Sequence, residues 1–95
     1  MHVITRKRLN DFAAYQPESR VSLNRWYQLI KRANARSLSE LKQTFPSADQ
    51  VGKYTVFNLG GNKYRLIAAI HYNRQKVYIR AILTHREYDD GNWKR

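Results

Sequence analysis

Four side chains in the last third of this chain have the types and the spacing to cleave a phosphodiester: Arg65, Arg80, His85 and Tyr88. RNA carries its own nucleophile, the 2′-hydroxyl. A protein that cuts RNA therefore has to supply a proton acceptor, a proton donor for the leaving 5′-oxygen, and cations for the phosphate. An imidazole titrates near neutrality when unperturbed, which suits His85 to general acid or base work. The two guanidinium groups fork onto phosphate oxygens and keep their charge. A phenol at position 88 can stack on a base, orient the phosphate or donate a proton. Lys53, Lys63 and Arg86 add positive charge around these groups and complete the candidate RNA contacts.

Each of these residues also has a plainer role. An arginine on a sheet face is commonly a solvated charge, and a lone histidine is commonly structural. His2 and His71 keep that plainer role, the first being terminal and the second falling near Tyr78 at the far end of its strand. The neighbouring carboxylates Asp89 and Asp90 are too few, on so basic a chain, to indicate a metal. Gly60-Gly61-Asn62-Lys63 joins two strands and lacks the following helix of a phosphate loop, so it reads as a turn. The reading calls for no metal and no cofactor.

These groups need elements to hold them. His2 to Ile4 predicts a short first strand, and Thr5 is placed to cap a helix carrying Leu9, Phe12 and Ala13. Pro17 breaks that helix. From Glu18 onward, Leu23, Trp26, Tyr27, Ile30 and Ala33 form one apolar stripe at helical spacing, the pattern of a helix covering a sheet. Ser37-Leu38-Ser39-Glu40 is a capping-box pattern, and Pro46 closes the short helix it starts. From Lys53 the period changes to two. Tyr54 to Phe57, Tyr64 to His71 and Val77 to Thr84 read as three strands, with a glycine turn at Gly60-Gly61.

A two-residue turn at Arg74-Gln75 predicts the register Ile70 opposite Ile79, Leu66 opposite Leu83 and Arg65 opposite Thr84. Tyr64, Leu66, Ala68 and Ile70 then share the helix-facing side with Val77, Ile79, Ala81 and Leu83, while Arg65 and Arg80 share the open side. The face taken by Lys53 and Phe57 depends on the length of the glycine turn. Thr84-His85-Arg86-Glu87 is a second capping-box pattern. It predicts one helical turn that sets His85 and Tyr88 on one side, beside the strand end where Arg65 arrives.

Ninety-five residues with 42 % hydrophobic side chains are enough for one folded domain, spanning 1–95, with one modest core. The net charge of +11 is spread over both halves, with 9 basic residues against 3 acidic up to Ala48 and 9 against 4 after it. There is no separate basic tail, and a charge above the magnitude of about 2–8 that solubility asks of a small domain points to a polyanionic partner, nucleic acid before membrane. The absence of cysteine excludes a disulfide framework and a thiolate nucleophile, and fits a cytoplasmic setting. No apolar segment long enough for a signal peptide or a membrane span follows the N-terminal charges.

Val56-Phe57-Asn58-Leu59-Gly60-Gly61-Asn62-Lys63-Tyr64-Arg65-Leu66-Ile67, Val77-Tyr78-Ile79-Arg80 and Leu83-Thr84-His85-Arg86-Glu87-Tyr88-Asp89 resemble HigB-type toxins of bacterial type II toxin–antitoxin modules, a branch of the RelE/ParE superfamily. Trp26-Tyr27 and Leu41 to Asp49 extend the resemblance over nearly the whole chain. It implies an α+β, RelE-like fold, an antiparallel twisted sheet of about four strands with two or three helices on one face. It also implies an mRNA endoribonuclease acting on the ribosome, and a HigA-like helix-turn-helix antitoxin through which operator DNA is bound. By the same resemblance Arg65 and Arg80 correspond to phosphate-contacting arginines, and His85 and Tyr88 to the catalytic segment. A further lysine corresponds to either Lys53 or Lys63. The chain departs from the pattern at Asp90-Gly91-Asn92, which implies a loosely held Trp93-Lys94-Arg95. Two other classes remain in view: a ParE-like poison of DNA gyrase, which needs no His85–Tyr88 pair, and an RNA-binding module without catalysis.

Overall fold

Strand-forming residues after position 48 alternate between two faces, and only one of those faces is covered by helices along its length. A computed structural model of the chain describes residues 1–94. Its elements in order are β1 (His2–Val3), α1 (Lys7–Tyr15), α2 (Arg20–Arg32), α3 (Leu38–Thr44), β2 (Asp49–Val51), β3 (Tyr54–Leu59), β4 (Tyr64–His71), β5 (Lys76–Thr84) and α4 (His85–Asp89). The sheet order is β1-β5-β4-β3-β2, with β1 parallel to β5 and the other pairs antiparallel. The α+β class is as expected. The strand count is five rather than about four, because a two-residue turn at Gly52-Lys53 folds Asp49–Val51 back along β3. Asp49 and Gln50 are exposed and polar, so no alternation marks β2 in the sequence.

The helices arise much as their patterns require. Leu23, Trp26 and Ile30 of α2 are buried against the sheet, each contributing about 1.5–3 kcal/mol of apolar burial. Pro17 opens a short 3-10 turn, Pro17–Ser19, ahead of α2. Ser37 caps α3 by accepting the Glu40 N–H, while Glu40 returns to the Arg36 N–H. Thr5 does not cap α1, whose N-cap is Arg6 without a side-chain bond. Instead its hydroxyl takes the Ile79 N–H at 2.6 Å and donates to the Ile79 carbonyl at 3.2 Å, extending the edge pairing of β5 one step beyond β1.

The β4–β5 pairing differs from the expected register in two places. The connection is a 3-10 turn, Tyr72–Arg74, followed by Gln75 in the left-handed conformation (φ 55°), so Ile70 faces Val77 and Ala68 faces Ile79. Past that point Ile67 faces Ala81, which leaves Arg80 as the extra residue of a β-bulge. The two departures partly cancel: Leu66 faces Ile82 and Arg65 faces Leu83, one residue from the expected partners.

The bulge reverses the alternation of β5. Val77 and Ile79 pack into the main core with Leu66, Ala68, Phe57, Trp26 and Ile30, and Ile82 joins that side. Ala81 and Leu83 cross to the other face, beside Val56, Ile67, Tyr54, Tyr88 and the buried Trp93. Val77, Ile79, Ala81 and Leu83 therefore do not share one side. Phe57 lies in the main core, which settles the parity that the glycine turn left open. Trp93 is 7 % exposed and firmly packed, not loosely held; Arg95 lies outside the described residues.

Candidate active site

Two backbone devices set out the second face of the sheet. The first is the β3–β4 turn, where Gly60 (φ 61°), Gly61 (φ 59°) and Asn62 (φ 82°) take left-handed conformations in succession. Gly60 also permits close approach, since a Cβ there would lie 2.9 Å from the Tyr64 ring. The turn brings the Asn62 carbonyl to the Arg65 guanidinium, which donates to it at 3.0 Å and to the Tyr64 carbonyl at 3.2 Å. The second device is the Thr84 capping box. Thr84 Oγ1 accepts the Glu87 N–H, and the Glu87 carboxylate accepts the Thr84 N–H at 2.9 Å. The His85 N–H adds a bond to the Lys63 carbonyl at 2.9 Å, tying the start of α4 to the β3–β4 turn.

Arg65 and Tyr88 meet directly, with the guanidinium carbon 5.5 Å from the Tyr88 ring centroid. Arg65 is buried, so its charge is screened little and its direction is fixed by the two carbonyls. Tyr88 also stacks on Trp93, centroids 5.2 Å apart and planes 14° apart. Trp93 Nε1 donates to the Tyr88 carbonyl at 3.1 Å. Trp93 in turn meets Tyr54 edge to face at 6.3 Å, and the Arg80 guanidinium lies near enough to act on the Tyr54 phenol. That guanidinium, with Lys53 adding a smaller effect, holds the Tyr54 phenol below its ordinary range against an opposing contribution from burial.

The four expected residues thus lie on one face, but in two groups. His85, Tyr88 and Arg65 sit at the end of β5; Arg80 lies four residues back from Thr84, about 13 Å along the strand at 3.3 Å per residue. Tyr54 and Trp93 bridge the interval. Of the two candidate lysines, Lys63 adjoins α4 through its carbonyl, whereas the Lys53 ammonium lies 5.4 Å from the Tyr54 ring centroid. Arg86 is exposed on α4. His71 packs edge to face on Tyr78 at 5.1 Å, far from this group, and His2 pairs with Lys76 at the sheet edge.

His85 is half exposed, and its Nδ1 lies 3.0 Å from Asp89 Oδ2. A carboxylate at that distance selects the tautomer protonated on Nδ1 and leaves Nε2 able to accept a proton. Asp89 is a site residue that the reading of carboxylates as metal ligands passed over. Its i, i+4 spacing from His85 on a helical turn was the available signal. Tyr54 and Trp93 carried no such signal, because their contact follows from the bulge and from the path of the chain after α4. Among the described residues no group of three or more His, Cys, Asp or Glu side chains is arranged to hold a metal ion.

A small, mostly antiparallel sheet with helices along one face and cationic and aromatic side chains on the other places the chain among compact α+β domains. Comparison with known sequences narrows the class. The family model for HigB toxin, described as the RelE-like toxic component of a toxin–antitoxin system, matches residues 19–91. The chain is 39 % identical over 92 residues to the mRNA interferase toxin HigB of Escherichia coli K12, covering 94 % of this chain and 88 % of that protein. The mRNA interferase HigB of Shigella flexneri gives the same identity and coverage. That of Escherichia coli O6:H1 (strain CFT073) is 29 % identical over 92 residues, covering 94 % of this chain and 89 % of the relative. The chain belongs to the HigB toxin family.

Proposed function

We propose that this protein is the toxin of a toxin–antitoxin pair and an mRNA endoribonuclease whose reaction is carried by the strip described above. The relatives named as mRNA interferases align over 94 % of the chain, which supports that activity. The observation that carries the site assignment is Tyr88 held by Arg65 and Trp93 on the same short helix as His85, whose imidazole is oriented by Asp89. In the reaction the 2′-oxygen forms a bond to phosphorus and the bond from phosphorus to the 5′-oxygen breaks. His85 Nε2 accepts the 2′-hydroxyl proton, and the Tyr88 hydroxyl supplies one to the leaving 5′-oxygen. Arg65 stabilises the charge that develops on the oxygens of the reacting phosphate, without a metal ion, and Arg80, in the second group, holds a neighbouring phosphate of the same strand. Lys53, Lys63 and Arg86 guide the strand to this face.

So small and open a site suits a substrate held by another body, and translating ribosomes are the proposed setting for cleavage. A toxin of this family implies a neutralising antitoxin. A helix-turn-helix protein of HigA type, which would also connect the pair to operator DNA, is the proposed partner. No described helix is long and apolar enough to cross a membrane, and the proposed compartment is the cytoplasm.

Expression of His85→Gln and Arg80→Ala variants tests the assignment. Primer extension on a translated reporter mRNA should show cleavage reduced about 10²–10⁴-fold by His85→Gln, the usual contribution of a proton-transfer group. Wild-type cleavage by both variants would remove the proposed roles. DNA breaks with intact mRNA in cells expressing the wild-type protein would instead assign it to gyrase poisoning.

A further inference from the structure

Beside Arg80 the second face holds a cleft of 370 Å³ lined by Val51, Gly52, Lys53, Tyr54, Trp93 and Lys94. Its volume is at the lower end of the range of about 300–1,000 Å³ that small-ligand sites occupy. Two walls are aromatic and no acidic side chain contributes to it. In the free protein both rings are accompanied by ammonium groups, Lys53 Nζ at 5.4 Å from the Tyr54 centroid and Lys94 Nζ at 5.6 Å from that of Trp93. A lysine over a ring keeps its face covered yet leaves readily for a phosphate, because the contact is weak at an exposed site and the stem is flexible. Tyr88, by contrast, is already engaged by the buried Arg65 guanidinium and by the Trp93 ring.

We propose that the Tyr54–Trp93 cleft is a base subsite, receiving one unstacked nucleobase of the RNA strand while Lys53, Lys94 and Arg80 take the flanking phosphates. The subsite rests on the nuclease reading and deepens it. Arg80 connects the two, since it lies on β5 ahead of Thr84 and its guanidinium acts on the Tyr54 phenol. A base in the cleft fixes the register of the strand relative to His85, about four residues of β5 away. The cleft thus acts on which phosphodiester is presented, and Tyr54 and Trp93 are positioning residues.

The probe is a short single-stranded RNA made resistant by one 2′-deoxyribose at the cleaved nucleotide, together with a series carrying one abasic site at successive positions. Binding is followed by the fluorescence anisotropy of a dye on the 5′ end of the RNA. One abasic position should weaken binding about 5- to 150-fold, the usual worth of stacking on an aromatic side chain. The Tyr54→Leu variant should bind the intact and abasic RNAs alike, whereas Tyr54→Phe should retain the difference. A purely structural role for Tyr54 would weaken both RNAs equally and preserve their ratio, which overturns the proposal. Equal binding of all the RNAs by the wild-type protein, or no binding of any, also overturns it. Cleavage of translated mRNA by the same preparation separates the two ideas: cleavage without base dependence refutes the cleft alone, and base dependence without cleavage refutes the nuclease.

Discussion

Replacing Thr84 with Ala should disorder the α4 turn, which carries the proposed catalytic residues, while leaving the sheet intact. Five residues are far too few for a helix to persist unaided, so α4 depends on its local contacts. Those contacts are the Thr84 capping box, the His85 N–H bond to Lys63, and the Tyr88 ring held by Arg65 and Trp93. Losing an N-cap threonine costs about 1 kcal/mol, within a range of about 0.5–2. That is about a fivefold fall in the equilibrium constant for ordering the turn, and up to about thirtyfold at the upper end. The loss is local, because the Thr84 cap bonds satisfy only α4. Amide hydrogen exchange of residues 85–91 should accelerate by that factor, while core amides of β4 and β5 keep their protection. Cleavage should fall by no more than the same factor, since only the ordered fraction reacts. Unchanged exchange at 85–91, or a loss of cleavage approaching that of His85→Gln, would show that the cap does not set the population of the reactive turn.

Asp89→Asn should lower cleavage only about 2- to 10-fold: the pair is exposed on both sides, worth about 0.3–0.5 kcal/mol as an i, i+4 ion pair, and its main effect is on the imidazole tautomer. A kinetic comparison with His85→Gln checks this, and equal losses would contradict it. Deleting Arg80 should remove the bulge while leaving Ile82 on the core side and Ala81 and Leu83 on the other, so stability should stay near wild type, as it should for Arg80→Ala. Urea denaturation of the two variants checks this, and a large loss for the deletion alone would show that the bulge itself stabilises the sheet. Leu66→Ala, at a fully buried position between the helices and the sheet, should cost about 2–5 kcal/mol by the same assay.

Much of this protein is written in local patterns. The apolar stripe of α2, the capping boxes at Ser37 and Thr84, and the alternation of β4 each depend on residues within a few positions of one another, so their physics is complete in the sequence. Arg65 beside the C-terminal turn was legible because β4 and β5 are consecutive strands, and their pairing brings the start of β4 to the end of β5. Strand β2 was not, because its exposed Asp49 and Gln50 carry no hydrophobic period and pair only through the Gly52-Lys53 turn.

The bulge at Arg80 belongs to the tertiary structure. Nothing in Ile79-Arg80-Ala81 distinguishes an extra residue from a paired one; the choice depends on whether Ile82 or Leu83 fits the cavity left by the helices, and on Thr5 occupying the outer edge of Ile79. Reversing the faces there sends Ala81 and Leu83 to support Trp93, which closes over Tyr88 and reaches Tyr54. Residue types named the chemistry. The distance between the two cationic groups, and the aromatic bridge joining them, came from how well side chains distant in sequence pack against one another.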